Sequence, residues 1–198
     1  MPNHDQIQDA RALLPEGPSG TSRRTVLQAA IASGLFSAAV QPVSAQTMIV
    51  TSSDGLEAGD VRIDVNGFAM PAYRAAPQGR QNLPVVLVLS EIFGVHAHIA
   101  DVARRLAHQG YLAIAPQLFV RQGDAASYTD IPTLMREVIA KVPDAQVLAD
   151  LDATVRWAGQ HGGDTNRLGV TGFCWGGRMT WLYAAHNPQV KAGVAWYG

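Results

Sequence analysis

The sequence predicts an α/β domain: a mostly parallel sheet with helices on both faces, entered through an antiparallel hairpin. Three observations carry this. Short apolar runs bounded by turn residues alternate with stretches whose apolar residues recur at helical spacing. An alternating segment ends at Asn66-Gly67, a strong two-residue hairpin signal. The 198 residues, 47% hydrophobic and 16% charged, are enough for one packed core and short for two.

The elements follow in order. Val61, Ile63 and Val65 alternate with polar residues, the period of a half-buried strand. After the Asn66-Gly67 turn, a second strand from Phe68 to about Arg74 pairs back. Pro84 to Ser90 is a continuous apolar run, as a strand covered on both faces requires. Ile99, Val102, Ala103 and Leu106 mark a helix from about His98 to His108, with Gly110 suited to its end. Tyr111 to Pro116 is the next buried strand. One helix is expected over Ile131–Val142, ended by Pro143, and a second to about Gln160, with Asp144 as its cap. His161-Gly162-Gly163 breaks it. Leu168–Phe173, Gly176–His186 and Val190–Tyr197 then read as strand, helix and strand.

The first 45 residues read as an address rather than as structure. Ser22-Arg23-Arg24-Thr25 precedes an apolar stretch from Val26 to Val40, and Pro42-Val43-Ser44-Ala45 places small residues before a cut after Ala45. The arginine pair points to the twin-arginine export machinery as a partner and to the periplasm as destination. The apolar stretch is short for a bilayer span, so no stable membrane anchor is expected. Residues 46–58 read as a linker and 59–198 as the folded domain.

Composition excludes several functions. A formal net charge of -1 offers no basic surface for nucleic acid. Cys174 is the only cysteine, so an internal disulfide and a multi-cysteine zinc site are ruled out. No Gly-rich phosphate loop or dinucleotide fingerprint is present. Neither a metal nor a cofactor is expected.

Gly172-Phe173-Cys174-Trp175-Gly176-Gly177 carries the chemistry. It matches Gly-x-nucleophile-x-Gly between a strand and a helix. A nucleophile there sits on a sharp turn, and glycines are needed on both flanks because strand and helix converge. The helix behind Cys174 directs its N-terminal N–H groups at the sulfur, which favours thiolate. The competing reading is an inert buried thiol.

With these residues in view, the chain resembles the dienelactone hydrolases of the α/β-hydrolase superfamily. Ser90-Glu91-Ile92-Phe93-Gly94 looks like that family's Glu-Ile-Phe-Gly segment, and Ala115–Arg121 is similar to its Pro-Asp-Leu-Tyr-x-Arg stretch. Val194-Ala195-Trp196-Tyr197-Gly198 resembles its next strand. The resemblance implies an α/β-hydrolase fold and cysteine-dependent hydrolysis of a small lactone or ester through an acyl-enzyme. It implies Cys174 as nucleophile, with Ile92 and Trp175 donating N–H groups to the oxyanion. Glu91 would take part in thiol activation, and Arg121 would hold a substrate carboxylate. Gly172 and Gly176 are the elbow glycines.

In this superfamily the triad acid and histidine follow the nucleophile on later loops. After Cys174 the sequence offers one histidine, His186, expected to face away from the site. His96 and His98 follow the Glu91 loop and are read as polar loop residues, with no third ligand to make a metal site. The sequence therefore reads as a hydrolase domain incomplete at its C-terminus, with a sheet edge exposed and little activity of its own. A related esterase or thioesterase, or a non-catalytic exported binding domain, is the alternative.

Overall fold

The computed structural model describes residues 49–198. The leader, its cleavage site and the start of the linker segment lie outside the described residues. Six strands form one sheet in the order β1-β2-β4-β3-β5-β6. They are β1 (Leu56–Val65), β2 (Phe68–Pro77), β3 (Leu83–Leu89), β4 (Leu112–Pro116), β5 (Gly163–Phe173) and β6 (Val190–Trp196). β1, β2 and β4 are joined antiparallel, whereas β4, β3, β5 and β6 run parallel. The mostly parallel sheet with its N-terminal hairpin is thus as the pattern implied. Asn66 and Gly67 close the hairpin with φ of 53° and 87°, the positive pair that a tight two-residue turn demands.

Among the described residues there are four α-helices: α1 (Ala97–His108), α2 (Ile131–Glu137), α3 (Asp144–Gln160) and α4 (Trp175–His186), of which α1, α3 and α4 pack on the sheet. The main core lies on one face, where Val147 and Leu151 of α3 and Met179 and Tyr183 of α4 pack on Val85, Leu87 and Val170. On the other face Ile99, Ala103 and Ala107 of α1 meet Ala75, Val88 and Ala113. The small residues let α1 lie close to the strands. β6 forms one edge, and Val194 and Trp196 on it are exposed.

Four elements differ from the sequence reading. The helix expected over Ile131–Val142 ends at Glu137, and a 3-10 turn follows over Ile139–Lys141. Val138 caps α2 with φ -119° and ψ -65°, still in the right-handed helical region, and Val142 is extended ahead of Pro143. A residue before proline is forced out of the helical region, so the last turn tightens. Leu134, Val138 and Ile139 stay buried together against Phe119, which preserves the apolar spacing that suggested one long helix. Asp144 does not cap α3. Pro143 holds the cap position, Asp144 is the first helical residue, and its carboxylate receives both terminal nitrogens of Arg178 at 2.8 and 2.7 Å. β5 starts five residues earlier than expected, at Gly163, because Leu83 and Pro84 pair with Gly163 and Asp164 before the register shifts to Val85 and Leu168. At the other end, β1 begins at Leu56, within the segment read as linker, and the residues before it are tied down by Thr51, whose N–H donates to Asp101 of α1.

Candidate active site

The carboxyl ends of β3, β4, β5 and β6 all point to the same edge of the sheet, where open α/β folds bind their ligands. Each strand end contributes one part. Glu91 and Ile92 follow β3, Gln117 follows β4, Cys174 follows β5 and Tyr197 follows β6.

Cys174 occupies the bend between β5 and α4 with φ 53° and ψ -117°. Such a backbone is costly for a residue with a side chain and persists only where its surroundings hold it. Here its N–H donates to the Trp196 carbonyl at 2.9 Å and its carbonyl accepts from Arg178 N at 3.1 Å. The glycines are needed for space. A Cβ on Gly176 would stand 2.6 Å from the Ser90 carbonyl oxygen, and one on Gly172 would run into the Gly176 carbonyl. Gly177 meets the same demand from the other side, since a Cβ there would lie 2.9 Å from the Trp196 oxygen. The thiol is partly exposed, so it is neither sealed in the core nor out on the surface.

Trp175 is the first residue of α4, so its N–H is among those with no partner inside the helix. Its indole packs edge-on against Phe119 at 4.7 Å between ring centroids, which ties the elbow to the loop after β4. Ile92 sits between Glu91 and a turn in which Gly94 N donates to the Glu91 carbonyl. Gln117 pins this loop from β4: its Oε1 accepts from Val95 N at 3.2 Å and its Nε2 donates to Val95 O at 3.4 Å. In the stretch resembling the family's Pro-Asp-Leu-Tyr, Gln117 stands where that pattern has Asp, and an amide can serve both backbone groups where a carboxylate could serve one.

Glu91 is held in a fork. The Nε2–H of His96 donates to Oε2 at 3.3 Å, and the hydroxyl of Tyr197 donates to Oε1 at 3.3 Å. Burial pushes the carboxyl up, but the His96 hydrogen bond, its own backbone N–H and the charges of His96 and His98 outweigh this and hold it below the usual value. Partial desolvation, then the neighbouring Glu91 carboxylate and the Cys174 sulfur, raise the Tyr197 phenol. Tyr197 and His96 therefore belong to the same polar group as Glu91. The sequence signal for Tyr197 was present as the Tyr-Gly ending of the last strand, but its partner lies 106 residues away.

Arg121 has a partner inside the protein. Its two terminal nitrogens donate to the two carboxylate oxygens of Asp150 on α3, at 2.7 and 2.9 Å, and its guanidinium lies 4.1 Å from the Phe68 ring centre. A substrate carboxylate would have to compete with Asp150 for it. His186 lies at the far end of α4, with Nε2 2.9 Å from Asp152. Among the described residues no three metal-ligating side chains converge. A cavity of about 670 Å³ runs along the α1 face of β5 and β6, lined by Val86, Val102, Leu106, Phe173, Val194 and Trp196. It is apolar and does not include Cys174.

The model of the dienelactone hydrolase family matches residues 70–198. The chain belongs to the dienelactone hydrolase family. A Methylorubrum extorquens protein named "Putative carboxymethylenebutenolidase" is 60% identical over 178 residues, covering 89% of this chain and 61% of the relative. An Escherichia coli K12 protein of the same name is 58% identical over 164 residues, covering 82% and 60%. The crystal structure of a dienelactone hydrolase, so assigned by similarity, from Klebsiella pneumoniae is 63% identical, with a TM-score of 0.71 over 72% of this chain and 60% of that one. A dienelactone hydrolase-like promiscuous phosphotriesterase from metagenomic libraries, 24% identical with a TM-score of 0.59, shares the fold. The chain spans about 60% of the length of these family relatives.

Proposed function

We propose that Cys174 is the nucleophile of a hydrolase acting on small lactones or esters through a covalent acyl-enzyme. The observation that carries this is the partly exposed Cys174 at a positive-φ bend, at the N-terminus of α4 and on the sheet edge that also carries Glu91. The sulfur bonds to the carbonyl carbon, and the carbonyl electrons move to oxygen, where the N–H groups of Trp175 and Ile92 stabilise the charge. Collapse breaks the ester bond, and the thiol's proton goes to the departing alkoxide. Water then adds to the thioester and returns the free thiol. Export through the twin-arginine machinery to the periplasm completes the reading, on the strength of the Arg23-Arg24 leader.

No triad acid or histidine is assigned among the residues after Cys174, since His186 is engaged by Asp152. The 198-residue chain is therefore expected to acylate once and turn over slowly. Stopped-flow release of p-nitrophenol from p-nitrophenyl acetate tests this. A burst approaching one equivalent, absent in Cys174→Ala, is expected; no burst in either protein would defeat the proposal.

The Arg121–Asp150 pair favours a second reading, in which the substrate is a neutral ester. If Arg121 serves substrate, a carboxylate-bearing lactone acylates faster than its methyl ester, and Arg121→Lys removes the preference. Equal rates favour the neutral ester.

A further inference from the structure

A second, smaller cavity of about 160 Å³ lies at the carboxyl edge of the sheet, between the loop after β3 and the loop after β4. We infer that this cavity holds the acyl group of the ester, and that the group is short, apolar and uncharged. The inference rests on the proposed role of Cys174 and deepens it by naming the class of substrate.

Phe93 and Val95 supply one wall, and Phe119, Val120, Ala125 and Ala126 the other. Phe93 and Val120, one from each loop, are exposed, so the apolar lining reaches solvent at these two residues. Both proposed oxyanion donors adjoin it. Ile92 directly precedes Phe93 in the chain, and consecutive Cα atoms are about 3.8 Å apart. Trp175 packs its indole on Phe119 with ring centres 4.7 Å apart. Ile92 and Trp175 also pack on the buried cluster that contains Phe119 and Ala125. A carbonyl oxygen held by those two N–H groups therefore brings its carbonyl carbon to the cavity. Of the two groups on that carbon, the acyl group stays bonded to sulfur after the alcohol leaves, so a fixed wall beside the donors can hold it through both steps.

The chemistry of the lining selects the occupant. The Gln117 amide is already used by both backbone groups of Val95. Asp124 caps the 3-10 turn Ala125–Ser127, where its Oδ1 accepts from Ala126 N at 3.0 Å. Asp124 is the single charged residue of the lining, and its negative charge opposes an acyl group that carries a carboxylate. The nearby cation, Arg121, is paired with Asp150 instead. Gly94, at φ 76°, keeps the space clear: a Cβ there would stand 3.1 Å from Gln117 Oε1 and 4.0 Å from the Ala125 Cβ. These bonds fix both walls before substrate arrives, so little ordering is needed on binding. The volume is close to the roughly 150 Å³ of an apolar cavity that takes one benzene ring, which sets the limit at about six carbons.

Burst rates of the full chain with p-nitrophenyl acetate, butanoate, hexanoate and decanoate test this. The readout is the ratio of each rate to the acetate rate, which a general loss of activity does not move. In the wild type the ratio is expected to rise about two- to fourfold per added methylene as far as hexanoate, and to fall at decanoate. The adipate monoester, which is hexanoate with a terminal carboxylate, is expected to react at least about fivefold more slowly than hexanoate. Val120→Phe is expected to lower the hexanoate-to-acetate ratio about fivefold or more, and Phe93→Ala to move the optimum to a longer chain. Ala126→Leu is a second filling variant should Val120→Phe misfold. A flat series in the wild type, a ratio that neither filling variant moves, or an adipate monoester as fast as hexanoate overturns the inference. A binding measurement needs no thiol. Methyl hexanoate added to Cys174→Ala carrying isotope-labelled valine methyl groups is expected to shift the signals of Val95 and Val120, and unmoved signals overturn the inference as well. Shifted signals without a burst from any ester in the wild type would instead defeat the proposed nucleophile, which separates the two failures.

Discussion

Two carboxylates, Asp150 and Glu91, each hold a pair of hydrogen-bond donors, and their fates differ. Asp150 is 1% exposed and meets a guanidinium 22% exposed, in a two-pronged contact that uses both oxygens and both terminal nitrogens. Glu91 lies at the carboxyl edge of the sheet, and its donors are single, longer and borne by groups that reach solvent. The first cluster anchors the loop after β4 to α3. The second ties the loop after β3 to the end of β6. The contrast shows why a residue type matched to a family motif is a weak guide to its job: Arg121 and Glu91 both sit in matching stretches, but only Arg121 is locked in a short, two-pronged ion pair with a buried partner.

The largest effect that could break this comparison is at Arg121. Arg121→Ala leaves Asp150 buried without its counter-charge and is expected to cost about 3–5 kcal/mol, read as a fall in the urea midpoint at unchanged slope. A loss below about 1 kcal/mol would mean that the pair is a dispensable surface contact and that Arg121 is free for substrate.

Glu91→Gln should show the reverse profile. Stability is expected to move by no more than about 1 kcal/mol, read as the urea midpoint at unchanged slope. The two carboxylates also titrate in opposite senses. Glu91 is held below its usual value in the folded chain, so its stabilising share is present above the unfolded pKa and is lost as pH falls through the folded one. Burial, opposed by Arg121, raises Asp150, so its share is greatest in acid and is lost as pH rises through the folded value. Urea titrations across the acid range should show Glu91→Gln flattening the acid-side loss of stability.

The smallest expected effect is at the exposed Asp144–Arg178 pair, where Asp144→Ala should change stability by less than about 1 kcal/mol despite distances as short as those of Arg121–Asp150. Thermal melts of Asp144→Ala and Arg121→Ala side by side isolate burial as the deciding variable.

Much of the frame was legible because its signals are local. Asn66-Gly67 announces its hairpin, the run from Pro84 announces a covered strand, and the glycines around Cys174 announce a bend whose geometry is found at φ 53°. The misreadings came from contacts between distant segments. Val138 and Ile139 keep helical spacing because burial against Phe119 asks for it, although the backbone there has left the α-helix. Gly163 and Asp164 look like loop until Leu83 and Pro84 pair with them. Asp150 lies on a helix whose apolar pattern hides it, and nothing nearby names Arg121 as its partner. Tyr197 reaches Glu91 only once the ends of β3 and β6 meet at one edge, whereas His96 lies on Glu91's own loop. Local sequence thus marked the bend at Cys174, and the fold brought the distant Tyr197 to Glu91.

The most direct test is intact-protein mass spectrometry of the chain after brief exposure to an activated ester or a small lactone. The account predicts one acyl adduct, mapped by peptide digestion to Cys174 and lost in Cys174→Ala. An unmodified chain, or an adduct on another side chain, would contradict it.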